Sequence, residues 1–161
     1  MWTAGVKANP LADALGLAQT KRGEIMVRAD LTVPGHPEVF VIGDLAAVER
    51  PDGKPYPQLA PVAIQAGRYV ARSIEARTRG KPAKPFRYID KGIMATIGRR
   101  SAVAELPYGI RFGGTLGWLS WLGLHLVFLI GFRNRVVVLV NWAWNYLNWD
   151  RGNRVILSDP E

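Results

Sequence analysis

The stretch from Val39 to Gly67 constrains the fold most strongly, because it joins a strand-length apolar run to a long helical pattern. The run Val39–Ile42 stops at Gly43-Asp44, and an uninterrupted apolar run of this kind is typical of a buried parallel strand. The carboxyl end of such a strand is where α/β sheets place their ligands. The chain therefore predicts an α/β fold with a candidate site that begins at Gly43.

A helix is predicted from Ala60 to about Thr78, with Pro61 in its first turn, where a missing N–H costs nothing. The start of this helix would favour an electron-rich or anionic group held near the strand end. Gly43 permits close approach, and Asp44 offers a carboxylate acceptor for hydroxyl groups. The residues alone fit an ordinary strand-loop-helix unit equally well.

The net charge of +8 is concentrated in one window. Arg68 to Arg100 contains ten basic and two acidic residues, so the net charge of this window equals that of the whole chain. A basic surface attracts nucleic acid and anionic lipid alike. Five of the six tryptophans follow Gly117, outside the window and beside long apolar runs. This placement favours a membrane interface over base stacking, so we expect a lipid surface as partner and no nucleic acid.

The chain contains no cysteine, which excludes disulfides, thiolate metal sites and dithiol redox centres. His36 and His125 are far apart in the sequence and lie in unlike surroundings, so we expect no metal site. The sequence also lacks a GxGxxG fingerprint. A dinucleotide site built from these residues alone would therefore miss the loop that holds the pyrophosphate.

Shorter elements are predicted on both sides of the long helix. A helix from Asn9-Pro10 to about Leu17 and a strand over Glu24–Arg28 precede it. After it, a small antiparallel sheet is expected from the strands Phe86–Asp90, Ile93–Ile97 and Ala102–Leu106. With the apolar tail that follows, these elements divide the chain into residues 1–80, 81–112 and 113–161.

Two apolar runs form the tail. Gly113–Phe132 has twenty residues without a formal charge, and as a helix it would be about 30 Å long, the thickness of a bilayer core. Gly113, Gly117, Ser120 and Gly131 fall on one stripe, which would let another helix pack closely. Val136–Trp149 is shorter and gathers its asparagines on one face, an amphipathic pattern with an aromatic anchor.

Three interpretations of this tail compete: a spanning helix, a buried core helix, and a pair of helices that lie on the membrane. The second run is too short to return across a bilayer, and arginines flank the first run at both ends. Tryptophans and basic residues nearby disfavour a buried helix. We therefore expect the two helices to lie in the membrane plane, as a monotopic anchor.

The amino-acid sequence of the stretch from Val39 to Gly67 resembles that of a known group of proteins. The segments VFVIGD and LAPVAIQAGR resemble the second flavin-binding segment of flavoproteins with two dinucleotide-binding domains. With the basic sheet and the tail, the whole chain resembles the C-terminal part of type II NADH dehydrogenases, the non-proton-pumping NADH:quinone oxidoreductases. The resemblance also rests on four further segments: Trp2–Gly5, Phe86–Arg99, Trp121–Arg135 and Trp142–Tyr146.

The resemblance implies a role for particular residues in binding FAD. Gly43 and Asp44 would hold its ribityl-phosphate part, and the backbone of Ala60 would contact the flavin, with Val62 close by. Lys91 occupies the position of a lysine near the isoalloxazine ring, although a solvated turn lysine fits the same residue. Because cysteine is absent, the disulfide reductases that share this flavin segment are excluded.

The resemblance also places a quinone pocket beside the long helix, in an Ala-Gln-x-Ala-x-Gln pattern. The implied quinone residues are Pro61, Ile64 and Gln65, within a match that runs from Ala60 to Gln65. Pro61 replaces the first glutamine of the pattern and cannot donate a hydrogen bond. Gln65 keeps its amide, although a glutamine on a helix surface needs no function.

The implied activity is hydride transfer from NADH to FAD, followed by electron delivery to a membrane quinone without proton pumping. The implied location is the cytoplasmic face of the inner cell membrane, with a homodimer as a possible assembly. Since the N-terminal nucleotide-binding regions are missing, we expect a fragment that is inactive alone. The alternative is a non-catalytic basic protein that binds the membrane surface.

Overall fold

The computed structural model describes residues 7–82 and 84–148. These residues divide into two compact units, with the boundary between Ile89 and Asp90. The segment Trp2–Gly5 and the final residue of the second apolar run, Trp149, lie outside the described residues.

The first unit is a small α/β assembly. β1 (Ile25–Met26) and β4 (Ala46–Ala47) pair in parallel, with Ile25 opposite Ala46, whereas β2 (Thr32–Val33) and β3 (His36–Phe40) pair in an antiparallel hairpin. The helix predicted from Ala60 is confirmed, and the first helix is shorter than predicted because it ends before Gly16, whose φ is +62°. The elements are α1 (Leu11–Ala14), β1 (Ile25–Met26), β2 (Thr32–Val33), β3 (His36–Phe40), a 3-10 turn (Gly43–Leu45), β4 (Ala46–Ala47) and α2 (Ala60–Thr78).

One face of α2 closes the core of this unit. Val62 and Ala66 join Ile25, Leu31 and Phe86 in one buried cluster. Burying a side chain such as valine, leucine or isoleucine stabilises the fold by about 1.5–3 kcal/mol. The core therefore fixes which face of α2 points inward and leaves the opposite face to solvent.

The prediction of a buried parallel strand over Val39–Ile42 is wrong. The strand is β3, which ends at Phe40 and pairs antiparallel with β2. Of the predicted run, Val41 is buried, but Val39 and Ile42 are more than a third exposed. The reason is a turn at Pro34 and Gly35, where the glycine has a φ of +84°. The turn reverses the chain, so β3 pairs with β2, the strand immediately before it.

An ion pair ties the hairpin to α2. Arg77 donates to the carboxylate of Asp30 at 3.1 Å, and its guanidinium lies 4.7 Å from the ring centre of Phe40. Burial acts to raise the pKa of Asp30, but hydrogen bonds from Thr32 and the charge of Arg77 outweigh burial and lower this pKa. Asp30 is therefore held as a carboxylate, and the hairpin stays anchored to α2.

The second unit is a three-stranded antiparallel sheet with two helices. β6 (Ser101–Glu105) lies between β5 (Ile93–Gly98) and β7 (Arg111–Gly113), and α3 (Gly114–Phe128) packs mainly on β6. The predicted small antiparallel sheet is thus confirmed, with different strand limits. The elements are β5 (Ile93–Gly98), β6 (Ser101–Glu105), a 3-10 turn (Pro107–Gly109), β7 (Arg111–Gly113), α3 (Gly114–Phe128) and α4 (Phe132–Leu147).

The predicted strand Phe86–Asp90 is wrong, since the third strand of the sheet is β7. Phe86 is instead buried in the first unit, where its ring meets that of Tyr69 edge-on at 5.5 Å. The backbone N–H and carbonyl of Ile89 both bond to the side-chain amide of Gln65. The side chain of Gln65 thus occupies the backbone groups of Ile89 that a neighbouring strand would otherwise bond.

The glycine stripe in α3 packs on a strand rather than on a helix. A Cβ added to Gly117 would lie 3.0 Å from the carbonyl oxygen of Ala102 in β6. The absence of a side chain at this position allows the helix to approach the sheet backbone closely. Gly131 does not belong to the stripe, because α3 ends at Phe128.

The predicted single helix over Gly113–Phe132 is also wrong, because the chain turns between α3 and α4. Gly131 has a φ of +85°, and Arg135 donates to the carbonyls of Val127 and Leu129 at 2.8 and 3.0 Å. These bonds satisfy carbonyls at the end of α3 that lack helical partners. In the part of the chain that the structure describes, no helix has the length and apolar character needed to cross a membrane.

Candidate functional site

Gly43 and Asp44 lie in the 3-10 turn that follows β3, and this turn packs on the start of α2. Gly43 has a φ of +69°, a conformation that glycine adopts without strain. A Cβ added there would lie 3.6 Å from the Cβ of Ala63. The turn therefore contacts the first turn of α2 through the position that carries no side chain.

The carboxylate of Asp44 is available to a ligand. Asp44 is exposed, and its side chain forms no hydrogen bond or ion pair with another described residue. Its backbone carbonyl is held by the side-chain amide of Gln58 at 3.0 Å. The Gln58 contact was not anticipated from the sequence, because its partners are fourteen positions apart and no pairing signal connects them. It fixes the backbone and leaves the carboxylate free to accept hydrogen bonds.

The start of α2 presents one backbone donor. Val62 and Ala63 donate their N–H groups to the carbonyl of Leu59, and Pro61 has none. The N–H of Ala60 bonds to no backbone or side-chain acceptor in residues 7–82 and 84–148. Ala60 is exposed, so this donor is open to a ligand at the helix N-terminus.

The turn and the helix start line one open cleft. Gly43 and Asp44 form one side, and Leu59, Val62 and Ala63 form the other. The structure therefore brings together three of the predicted flavin residues, Gly43, Asp44 and Val62, with Ala60 directly after Leu59. The cleft combines a carboxylate acceptor with an apolar wall.

The predicted quinone residues lie on the outward face of α2 rather than in this cleft. Pro61 is exposed, and the side chain of Ile64 is 44% exposed. Gln65 uses its amide nitrogen and oxygen to bond the carbonyl and N–H of Ile89, at 2.8 and 3.0 Å. The amide keeps a second N–H and a second lone pair beyond these two bonds. No pattern in the sequence predicts this contact.

Lys91 belongs to the second unit and is exposed in the turn before β5. The carboxylate of Asp90 accepts a hydrogen bond from the N–H of Gly92 at 2.8 Å, which closes a tight turn around the lysine. Gly92 has a φ of +92°, and a Cβ there would lie 2.3 Å from the carbonyl oxygen of Glu105. The backbone at Lys91 is therefore tightly constrained.

His, Asp and Glu side chains nowhere form a group of three or more that could hold a metal ion within residues 7–82 and 84–148. The cleft of the first unit offers a carboxylate acceptor, one backbone N–H donor and an apolar wall.

Two family models match the chain. The model described as pyridine nucleotide-disulphide oxidoreductase matches residues 1–67, and the model described as NDH2 C-terminal domain matches residues 91–148. The first match contains the cleft, and the second contains the sheet with α3 and α4. The dithiol chemistry in the first description has no counterpart in these residues, because cysteine is absent.

Curated relatives agree with both matches. The type II NADH:quinone oxidoreductases Ndh and NdhA of Mycobacterium tuberculosis are each 42% identical to the chain, over 97% and 98% of its length. The chain belongs to the type II NADH:quinone oxidoreductases. The mitochondrial internal alternative NAD(P)H-ubiquinone oxidoreductase A1 of Arabidopsis thaliana is 30% identical over 91% of the chain. The chain spans about a third of the length of these relatives, namely 34%, 34% and 32%.

Proposed function

We propose that these residues form the C-terminal part of an FAD-dependent oxidoreductase that passes electrons from NADH to a membrane quinone without pumping protons. The observation that carries the proposal is the cleft between the Gly43-Asp44 turn and the start of α2. It lies within the residues matched by the pyridine nucleotide-disulphide oxidoreductase model. The names of the relatives support the reaction and both substrates.

The residues of the cleft fit part of a flavin site. An ionised carboxylate only accepts hydrogen bonds, so Asp44 suits the ribityl hydroxyls better than a bare phosphate. The N–H of Ala60 would donate to the flavin at the helix N-terminus, and Val62 would supply an apolar contact. When bound, FAD would supply the redox chemistry, and these residues would position it and exclude water.

A polypeptide of these 161 residues alone is expected to bind FAD weakly and to lack activity. The sequence has no GxGxxG loop, and Asp44 cannot replace that loop because a carboxylate repels a pyrophosphate. We propose that Lys91 lies near the isoalloxazine ring in the whole enzyme. Its ammonium group would favour negative charge on the ring.

We further propose that quinone is bound at the outward face of the first turns of α2. Pro61 and Ile64 would supply apolar contacts there, since Pro61 has no N–H to donate. Gln65 would donate its second amide N–H to the quinone while the first stays bonded to the carbonyl of Ile89. This bond would contribute about 0.5–1.5 kcal/mol without breaking the contacts to Ile89.

The helix pair of the second unit would hold the enzyme on the membrane as a monotopic anchor, on the cytoplasmic face. Ile130 and Phe132, which lie at the turn between α3 and α4, are 88% and 81% exposed. Exposed apolar residues beside Arg133 are typical of a surface that enters the lipid interface. The exposed side of α4 is equally open to a second copy of the chain, so a homodimer belongs to the same proposal.

The test is to purify the protein that carries this chain from the membranes of its own cells and to measure three properties. The proposal predicts bound FAD, NADH oxidation that depends on added quinone, and no proton uptake into sealed vesicles. A protein that binds membranes but contains no flavin would overturn the proposal. That result would favour the non-catalytic membrane-binding alternative, which the exposed apolar residues of α3 and α4 also support.

A further inference from the structure

The segment Lys84–Ile89 runs back along one flank of α2. The hydroxyl of Tyr69 donates to the carbonyl of Lys84 at one end, and Gln65 bonds both backbone groups of Ile89 at the other. Phe86 inserts its ring into the core between these two anchors. The segment is therefore fixed beside the helix, and its exposed side chains extend the outward face of α2.

Four cations lie on this combined surface, which we call the basic strip: Arg68, Arg72, Lys84 and Arg87. Arg68 and Arg72 are four residues apart on one exposed flank of α2, about a third of a turn around the helix from the buried Val62 and Ala66. All four cations are exposed. Within the described residues, the ion pairs involve none of them. The carboxylate of Glu75, on the same face, is already paired with Arg79 at 2.7 Å. The strip thus carries four uncompensated positive charges.

Exposed apolar side chains adjoin the basic strip at the Gln65 end. Ile64 is 44% exposed and Ile89 is 68% exposed, and Pro61 lies one turn before Ile64. A surface that joins cations to isoleucines offers contacts for both the headgroups and the upper acyl chains of a bilayer. Base stacking would need an exposed aromatic face, but Tyr69 packs edge-on against Phe86 and Tyr88 packs edge-on against Tyr56.

We propose that the basic strip binds the anionic headgroups of a membrane surface, so that the first unit has a lipid contact of its own. The occupant is an anionic lipid, selected by charge complementarity and by the adjoining isoleucines. This inference deepens the proposed function, because it names the class of lipid that the flavin-bearing unit contacts. It does not depend on catalysis, since the contact needs no NADH, flavin or quinone.

The experiment is vesicle binding by the full chain, with phosphatidylcholine vesicles compared with vesicles that also contain phosphatidylglycerol. Each basic residue near an anionic surface strengthens binding about fivefold. We expect Arg68→Gln/Arg72→Gln to weaken binding to the anionic vesicles about 30-fold and to leave binding to neutral vesicles unchanged. Lys84→Gln/Arg87→Gln is expected to act in the same way. Raising the salt from about 0.1 M to about 1 M should remove the preference for anionic vesicles.

The matched control is Lys21→Gln/Arg22→Gln. These two exposed cations lie in the turn between α1 and β1, so this variant loses the same net charge within the same unit. The proposal predicts that it keeps most of the preference for anionic lipid. If the control weakens binding as much as the α2 pair, the effect is one of net charge and the proposal fails.

Two other outcomes would also overturn the proposal. One is equal binding to neutral and anionic vesicles, which would leave the apolar helices α3 and α4 as the whole membrane contact. The other is displacement of the wild-type chain from anionic vesicles by duplex DNA or RNA, with R68Q/R72Q losing that nucleic-acid binding. Flavin content is measured separately on the protein from its own membranes. Failure of the lipid contact is therefore distinguishable from failure of the proposed function.

Discussion

Gly43 shows how one backbone conformation shapes the cleft. Its φ of +69° turns the chain toward α2, and a Cβ there would meet Ala63 at 3.6 Å, which is an ordinary contact. A side chain is therefore opposed by backbone strain rather than by lack of space. Gly67 offers the opposite case, because a Cβ in this helical position would lie 3.8 Å from Ile42 without such strain.

We expect Gly43→Ala to lower the free energy of unfolding of the first unit by about 1 kcal/mol, because alanine is strained at positive φ. Gly67→Ala should raise it by about 0.5–1 kcal/mol, because alanine favours the helix. Urea denaturation of both variants measures the two changes. Changes of the same sign would show that the left-handed turn at Gly43 does not form as described.

At the scale of elements, the packing of α3 on β6 determines the shape of the second unit. Gly117 lies against the backbone carbonyl of Ala102, where even a methyl group would be 3.0 Å from the oxygen. Gly123 lies in the same helix, and the described residues leave open space around its Cβ position. Substitutions at the two glycines therefore distinguish a loss of packing against β6 from a change in helix propensity.

Gly117→Leu is expected to destabilise the second unit by about 1–3 kcal/mol, because the added side chain forces α3 away from the sheet. Gly123→Leu should be neutral or stabilising by up to about 1 kcal/mol, because leucine forms helix better than glycine. Thermal unfolding followed by near-ultraviolet circular dichroism, which reports on the tryptophans of α3 and α4, compares them. Equal melting temperatures would contradict the packing of Gly117 on Ala102.

An element was predictable from the sequence where the residues that determine it lie close together in the chain. α2 was predictable because Pro61 and the helical period of its apolar residues are local signals. The antiparallel sheet was predictable from its turns. The limits of the strands were not, because Gln65 reaches across 24 residues to occupy the backbone of Ile89. The break before α4 likewise depends on Arg135, which is bonded to carbonyls six and eight residues earlier.

Part of the candidate site was also predictable from the sequence. Gly43, Asp44 and Val62 were identified from the resemblance, and the structure brings them together in one cleft. Their proposed roles stay predictions. The Gln58 contact to Asp44 was not predictable, since it joins a loop residue to a backbone carbonyl. Sequence patterns identify the groups that face a ligand better than the contacts that hold them.

At the scale of the whole molecule, each of the two units has its own part in the proposed function. The first carries the cleft and the basic strip, and the second carries exposed apolar helices. The two family matches divide in the same way, since residues 1–67 belong to the first unit and residues 91–148 to the second. The central claim is that the cleft of the first unit holds FAD through the carboxylate of Asp44.

The most direct test compares FAD bound by Asp44→Ala with FAD bound by Asp52→Ala, in the protein purified from its own membranes. Each substitution removes one exposed carboxylate from the first unit, and Asp52 is paired with Arg50 at 2.9 Å in the loop before α2. A charged hydrogen bond contributes about 1.5–3 kcal/mol. The account predicts that Asp44→Ala weakens FAD binding about 10- to 100-fold while Asp52→Ala retains it. Equal flavin retention by the two variants would contradict the account.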